Sequence, residues 1–159
     1  MNLLAIDPGD KQSAFVVFDG RKILDKGKVP NGDLLNWALP PVDHLAIEMI
    51  ASYGMPVGQT VFETCVWIGR FIQQYKELHH LKHTLVYRHE VKVCLCHSVK
   101  AKDGNIRQAL IDMFPATGAG AIPQLGTKKT PGPLYGISAD MWAALGVAIT
   151  WFKTKRDVL

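Results

Sequence analysis

Two apolar runs, each too short to be a buried helix, carry a carboxylate where burial discourages one. Leu4-Ala5-Ile6 leads into Asp7-Pro8-Gly9, and Leu45-Ala46-Ile47 leads into Glu48-Met49-Ile50. Such runs read as buried strands, over Asn2–Asp7 and His44–Ile50. A charge at the end of such a strand, or inside it, is costly unless it is paired or sits on a cation. If the two strands are neighbours, Asp7 and Glu48 converge, and a fold must be found that tolerates this. Asp7 before Pro-Gly also suits a turn cap; a Glu embedded in a strand has no comparable structural use.

The remaining chain supplies that fold. Ser13–Phe18 follows the turn Pro8-Gly9-Asp10, and Lys22–Val29 follows Asp19-Gly20, which predicts a three-stranded antiparallel meander. Asp33–Leu39 reads as a short helix stopped by Pro40-Pro41. From Val57 to Leu78, Val57, Val61, Cys65, Ile68, Ile72 and Tyr75 recur at helical spacing, with Val61, Cys65, Ile68 and Ile72 on an inward face. Thr84–Tyr87 reads as a fifth strand, Glu90–Cys96 suits helix and strand equally, and Asp103–Phe114 reads as a helix. Ala116–Gly136 is rich in Gly and Pro and reads as a mobile basic loop. Ser138 then caps a last helix through Phe152, with Trp142, Leu145, Ile149 and Phe152 inward. The order β-β-β-α-β-α-β-α-α predicts an α/β fold with a mixed five-stranded sheet flanked by helices. With 159 residues and 48% hydrophobic content, the chain is expected to form one domain over 1–159.

Charge is unevenly spread. Met1–Gly69 holds five Lys/Arg against eight Asp/Glu, while Arg70–Thr130 holds ten against four and five of the six histidines. A third acid, Asp140, opens the last helix in Ser138-Ala139-Asp140-Met141, where it could also complement the helix dipole. Acids beside a basic surface suit a metal-using nuclease, the acids holding cations and the bases holding phosphates. Two divalent ions about 3.5–4 Å apart would relieve the repulsion among Asp7, Glu48 and Asp140 and promote phosphodiester cleavage. Lys92, Lys100, Lys102, Arg107, Lys128 and Lys129 are the expected phosphate contacts.

Ile6-Asp7-Pro8-Gly9 after a first strand, Ala46-Ile47-Glu48 in a later one, Val91-Lys92 with Ala101-Lys102 before a helix, and Ala139-Asp140 before an Ala-rich helix together resemble the RuvC-type Holliday-junction resolvases. The likeness spans most of the chain, and the short chain and divergent loops look like a phage version. It implies an RNase H-like fold, Mg²⁺ or Mn²⁺ at Asp7, Glu48 and Asp140, and a homodimer that nicks four-way DNA junctions in symmetric strands.

The sequence departs from that pattern in two places. Ile137 stands where the family has an acid or histidine, so Asp103 is the first substitute for the fourth metal-binding group; it also suits the N-cap of its own helix. Ser138 is a second substitute, through its hydroxyl or a bound water. Ala51 occupies the slot of the family's aromatic wedge, which leaves Tyr53 or Met55 to face an unstacked base. Phe62, Val66, Trp67 and Phe71 lie off the inward face of the helix 57–78, which makes that helix the expected dimer interface unless the last helix covers it. A broader branched-DNA or flap nuclease, and a non-catalytic nucleic-acid-binding protein on the same scaffold, are the rival readings. Neither His79, His80 and His83 nor Cys94-Cys96-His97 completes a zinc spacing. Three cysteines, Cys65, Cys94 and Cys96, which cannot pair completely, and the lack of a spanning apolar run point to a cytoplasmic protein with no membrane partner.

Overall fold

The structure, a computed structural model, describes residues Met1–Val158. Strands β1 (Leu3–Asp7), β2 (Gln12–Phe18) and β3 (Ile23–Pro30) form the expected antiparallel meander, and β4 (His44–Met49) and β5 (Lys82–Tyr87) add in parallel to β1. The five strands run in the order β3-β2-β1-β4-β5. This is the mixed sheet flanked by helices that the sequence predicts.

Side chains alternate across the sheet, so each strand feeds two cores. Leu4, Ile6, Phe15, Val17, Leu45 and Ile47 face α1 (Asn31–Leu35) and α2 (Gln59–His79). Leu3, Ala5, Ala14, Val16, Ala46 and Val86 face α3 (Arg88–Cys96), α4 (Asp103–Asp112) and α5 (Met141–Thr154). By the same parity, Asp7 and Glu48 fall on the α5 side. Helix α5 is the centre of that layer: every residue from Ala144 to Trp151 is buried. Its small residues allow close approach, and a Cβ on Gly146 would meet Val91 Cγ1 of α3 at 3.1 Å.

Several boundaries differ from expectation. The first helix is Asn31–Leu35, not Asp33–Leu39, because Asn31 is buried and ties its backbone N–H to Lys11 O at 2.9 Å. Glu90–Cys96 belongs to a helix starting at Arg88, with Val91 and Leu95 inward and Glu90 accepting from Tyr87 N–H. Ser138 does not cap α5 through its hydroxyl; the helix starts at Met141, after Ala139 takes a left-handed turn at φ 45°. The buried face of α2 is Thr64, Ile68, Phe71 and Tyr75, so Phe71 points inward while Val61, Cys65 and Ile72 are half-buried. Tyr75 on that face donates its hydroxyl to Leu34 O at 2.5 Å. The stretch 116–136 is irregular but stitched to itself, with Gly118 N–H on Pro123 O at 2.8 Å, Ala119 N–H on Thr130 O at 3.0 Å and Leu134 fully buried. Among the described residues no helix is long and apolar enough to cross a membrane.

His44 opens β4 as a buried polar side chain. Its Nε2 lies 2.7 Å from Thr84 Oγ1, its ring stacks on Trp151 at 4.9 Å, and Trp151 Nε1–H donates to the same Thr84 hydroxyl. Burial, with His83 and Lys82 nearby, pushes His44 down to about 4. The unfolded chain therefore binds a proton between about pH 6.5 and pH 4 that the folded chain refuses, so stability falls as pH falls through that window and levels off below it. The loss is on the order of 3 kcal/mol. His44→Gln is expected to flatten this acid slope in urea titrations at pH 6.5, 5.5 and 4.5, whatever its stability at neutral pH. An unchanged slope would remove His44 as the cause.

Candidate active site

Because β1 and β4 pair in parallel with Ile6 opposite Ile47, Asp7 and Glu48 are adjacent at the carboxyl end of the sheet. Asp7 is opposite Ala14 of β2, Ala14 is opposite Lys28 of β3, and Glu48 is opposite Val86 of β5. One row across the α5 face thus reads Lys28, Ala14, Asp7, Glu48, Val86.

The Asp7–Glu48 pair lies in a cleft of about 290 Å³ lined also by Pro8, Met49, Ala51, Tyr53 and Arg88. Burial and the Glu48 charge, with Asp140 adding to them, push Asp7 up to about 8. Burial raises Glu48 as well, against the opposing pull of Arg88. The two carboxyls oppose each other's ionisation, so the pair resists carrying two charges at once. Two adjacent half-buried carboxylates are a hard-oxygen donor set that suits Mg²⁺ or Mn²⁺.

A buried polar circuit fixes the loop after Asp7. Gly9 N–H donates to Ser13 Oγ at 3.2 Å, Ser13 donates to Asn31 Oδ1 at 2.6 Å, and Asn31 Nδ2 donates to Gly9 O at 2.9 Å. A Cβ on Gly9 would stand 2.3 Å from Gln12 O, so the turn demands glycine. Sequence reasoning missed Ser13 and Asn31, which are recognisable only once β2 and α1 are known to meet at this turn.

Asp140 comes to the rim rather than the floor. It is the N-cap residue of α5, half-exposed, and its carboxylate pairs with Lys28 Nζ at 2.5 Å. Its charge is felt at Asp7. Among the described residues no three carboxylate, histidine or cysteine side chains are grouped closely enough to hold an ion between them. Asp7 and Glu48 form the core, and Lys28 is a rival cation for the third acid. The meander register was the signal that could have revealed Lys28.

Asp103 is neither the N-cap of α4, which is Lys102, nor a member of the carboxylate pair. It is the exposed first residue of that helix and forms an ion pair with Arg88 Nη2. Arg88 was not foreseen, although the residue after a strand parallel to β4 must emerge beside Glu48. Ser138 is exposed, two residues before Asp140.

The other expected contacts divide. Tyr53 is exposed, at φ 50°, with its hydroxyl 2.9 Å from His89 Nδ1. Together with Arg88, His89, Lys92 and Val99 it lines a second cleft of about 430 Å³ next to the first. Lys100 and Lys102 are exposed on the turn into α4, and Arg107 lies over the Trp142 ring at 5.0 Å. Lys128 and Lys129 occupy the exposed turn closed by the Gly126–Pro131 bridge and line neither cleft. Met55 is exposed and Ala51 lines the first cleft.

No protein-family model and no curated protein sequence matches the chain. Among solved structures it is similar to Thermus thermophilus RuvC, at 14% identity and a TM-score of 0.67, over 99% of this chain and 97% of that one. It is also similar to T. thermophilus RuvC in complex with Holliday junction substrate, at 14% identity and a TM-score of 0.65, over 94% and 92% of the two chains. The protein has a RuvC-like, RNase H-like fold along its whole described length.

Proposed function

We propose that this protein is a divalent-metal-dependent endonuclease that cuts branched DNA, four-way junctions above all, by paired nicks. The observation that carries the reading is the adjacent, half-buried Asp7–Glu48 pair in one cleft at the carboxyl end of β1 and β4, on a fold shared with a protein solved on a Holliday junction. Asp7, Glu48 and Asp140 would hold Mg²⁺ or Mn²⁺. When bound, the cation supplies Lewis acidity at the phosphate and lowers the pKa of water. The chain's own part is to bring the acids together by strand parity, to keep the Asp7 turn rigid through Ser13 and Asn31, and to release Asp140 from Lys28. The test is nicking of a synthetic four-way junction, a fork and a linear duplex, with and without Mg²⁺. Junction cutting that needs the metal supports the reading, equal cutting of the fork favours a broader branched-DNA nuclease, and no cutting of any of them defeats it.

The basic residues are read as phosphate contacts. Each of Lys92, Lys100, Lys102, Arg107, Lys128 and Lys129 that touches DNA should, when changed to Gln, reduce the magnitude of the salt slope by about 0.9. A binding constant indifferent to salt between 50 and 200 mM would contradict the electrostatic argument.

Paired nicking calls for two active sites related by a two-fold axis. Helix α5 lies on the opposite side of the sheet from α2 and does not cover its outer face, where Phe62 and Val66 are each 62% exposed one turn apart. An isologous dimer through this stripe is the reading that buries it. Phe62→Glu is expected to sediment as a folded monomer with weakened junction binding. A wild-type chain that is monomeric at micromolar concentration and still makes paired nicks would overturn it.

A further inference from the structure

Arg88 lines the Asp7–Glu48 cleft and is only half satisfied by the protein. It is the first residue of α3, directly after β5, and β5 pairs with β4 so that Tyr87 lies opposite Met49. Among the described residues, Arg88 is the one cationic residue that lines both the Asp7–Glu48 cleft and the neighbouring cleft of Tyr53, His89 and Lys92. Its Nη2 donates to Asp103, while its Nη1 is buried with no hydrogen-bond partner. A buried charged donor without an acceptor is unfavourable, and it persists where a ligand completes it. The Asp103 pair holds one side of the fork and leaves Nη1 as the unpaired donor. Lys92, one helical turn on, lines the same second cleft and adds charge without a fork.

We infer that Arg88 binds a phosphodiester oxygen of the strand held at the Asp7–Glu48 pair, through Nη1, and that Asp103 is a positioning residue for Arg88 rather than a metal ligand. The inference rests on the nuclease reading and assigns this chain a strand-locating contact at the site itself. A planar, always-charged fork suits phosphate geometry, whereas an ammonium would bind it only as a point charge. In the protein alone, the guanidinium serves as counter-charge to both carboxylates. A purely structural Arg88 would do that and no more, so the test must read DNA contact rather than stability.

A single methylphosphonate, which removes one phosphate charge, is walked along the phosphates flanking the branch of a four-way junction. Affinity is read by fluorescence anisotropy with magnesium omitted, for the wild type, R88Q, R88K and D103N. The wild type is expected to lose about tenfold in affinity at one position, and R88Q to bind the neutralised and natural junctions equally there. D103N should lose part of that discrimination while retaining the charge. R88K keeps a cation beside Asp7 and Glu48, so it serves if R88Q does not fold, and it should show less than half of the wild-type penalty. Wild-type binding with the same position-by-position profile in R88Q and R88K overturns the Arg88 assignment and leaves the nuclease reading standing. Failure of the wild type to bind either junction or duplex overturns both.

Discussion

Asp7→Asn, Glu48→Gln and Asp140→Asn are each expected to lower single-turnover junction nicking by roughly a thousandfold, which corresponds to about 4 kcal/mol of transition-state stabilisation. Junction affinity measured without magnesium should stay within about threefold of wild type if, as proposed, the phosphate contacts come from basic residues on α3, α4 and the loops. The three need not be equal. Asp7 and Glu48 share one half-buried floor, and losing either leaves the other without its partner. Asp140 stands at the rim on Lys28, so Lys28→Met should ease its release and lower the Mg²⁺ concentration needed for half-maximal cutting. Full activity in any of the three acid variants would strike that residue from the site.

The same acids should be a burden to folding. Asp7 is pushed up to about 8 from an ordinary value of 3.8 by burial and by Glu48. A carboxyl whose folded pKa is raised costs nothing below about pH 4, costs progressively more as pH rises to about 8, and reaches a plateau above that. At pH 8 without metal, Asp7→Asn should therefore be more stable than wild type by a few kcal/mol, a rise in Tm of several degrees. The Asn side chain keeps a donor for Glu48, so no new buried polar group is orphaned. Adding millimolar Mg²⁺ should raise the wild-type Tm and leave the variant nearly unmoved. An Asp7→Asn protein less stable than wild type at pH 8 in EDTA would show that the pair is not strained. The trade of stability for a charged site is common where function needs uncompensated groups.

The sheet and the two floor acids were legible in the sequence for one reason. Short apolar runs bounded by Pro-Gly and Asp-Gly leave few alternatives, and a charge within them has no cheap structural use. Arg88 was hidden because Val91-Lys92-Val93-Cys94-Leu95-Cys96 alternates like a strand, and only the packing of Val91 and Leu95 against α5 makes it helical. The rim position of Asp140 was hidden because the left-handed turn at Ala139, a residue with no preference for it, delays the start of α5. The rotation of α2 was hidden because apolar residues lie on both sides of the helix, and only packing against β1, β4 and α1 selects Phe71 over Val61 and Cys65 for the buried face.

The alternation that puts Asp7, Glu48 and Lys28 on one side of the sheet is a matter of odd and even, and this grades insertions and deletions differently from substitutions. One residue added or removed within β1 or β4 exchanges the two cores and carries its acid through the sheet to the α2 side. Two residues restore the parity but displace the acid by about 6.6 Å along the strand, out of line with its partner. Length changes that preserve the site are confined to the connections, so divergence in chain length should accumulate around 51–58 and 116–136 while the strands keep their lengths.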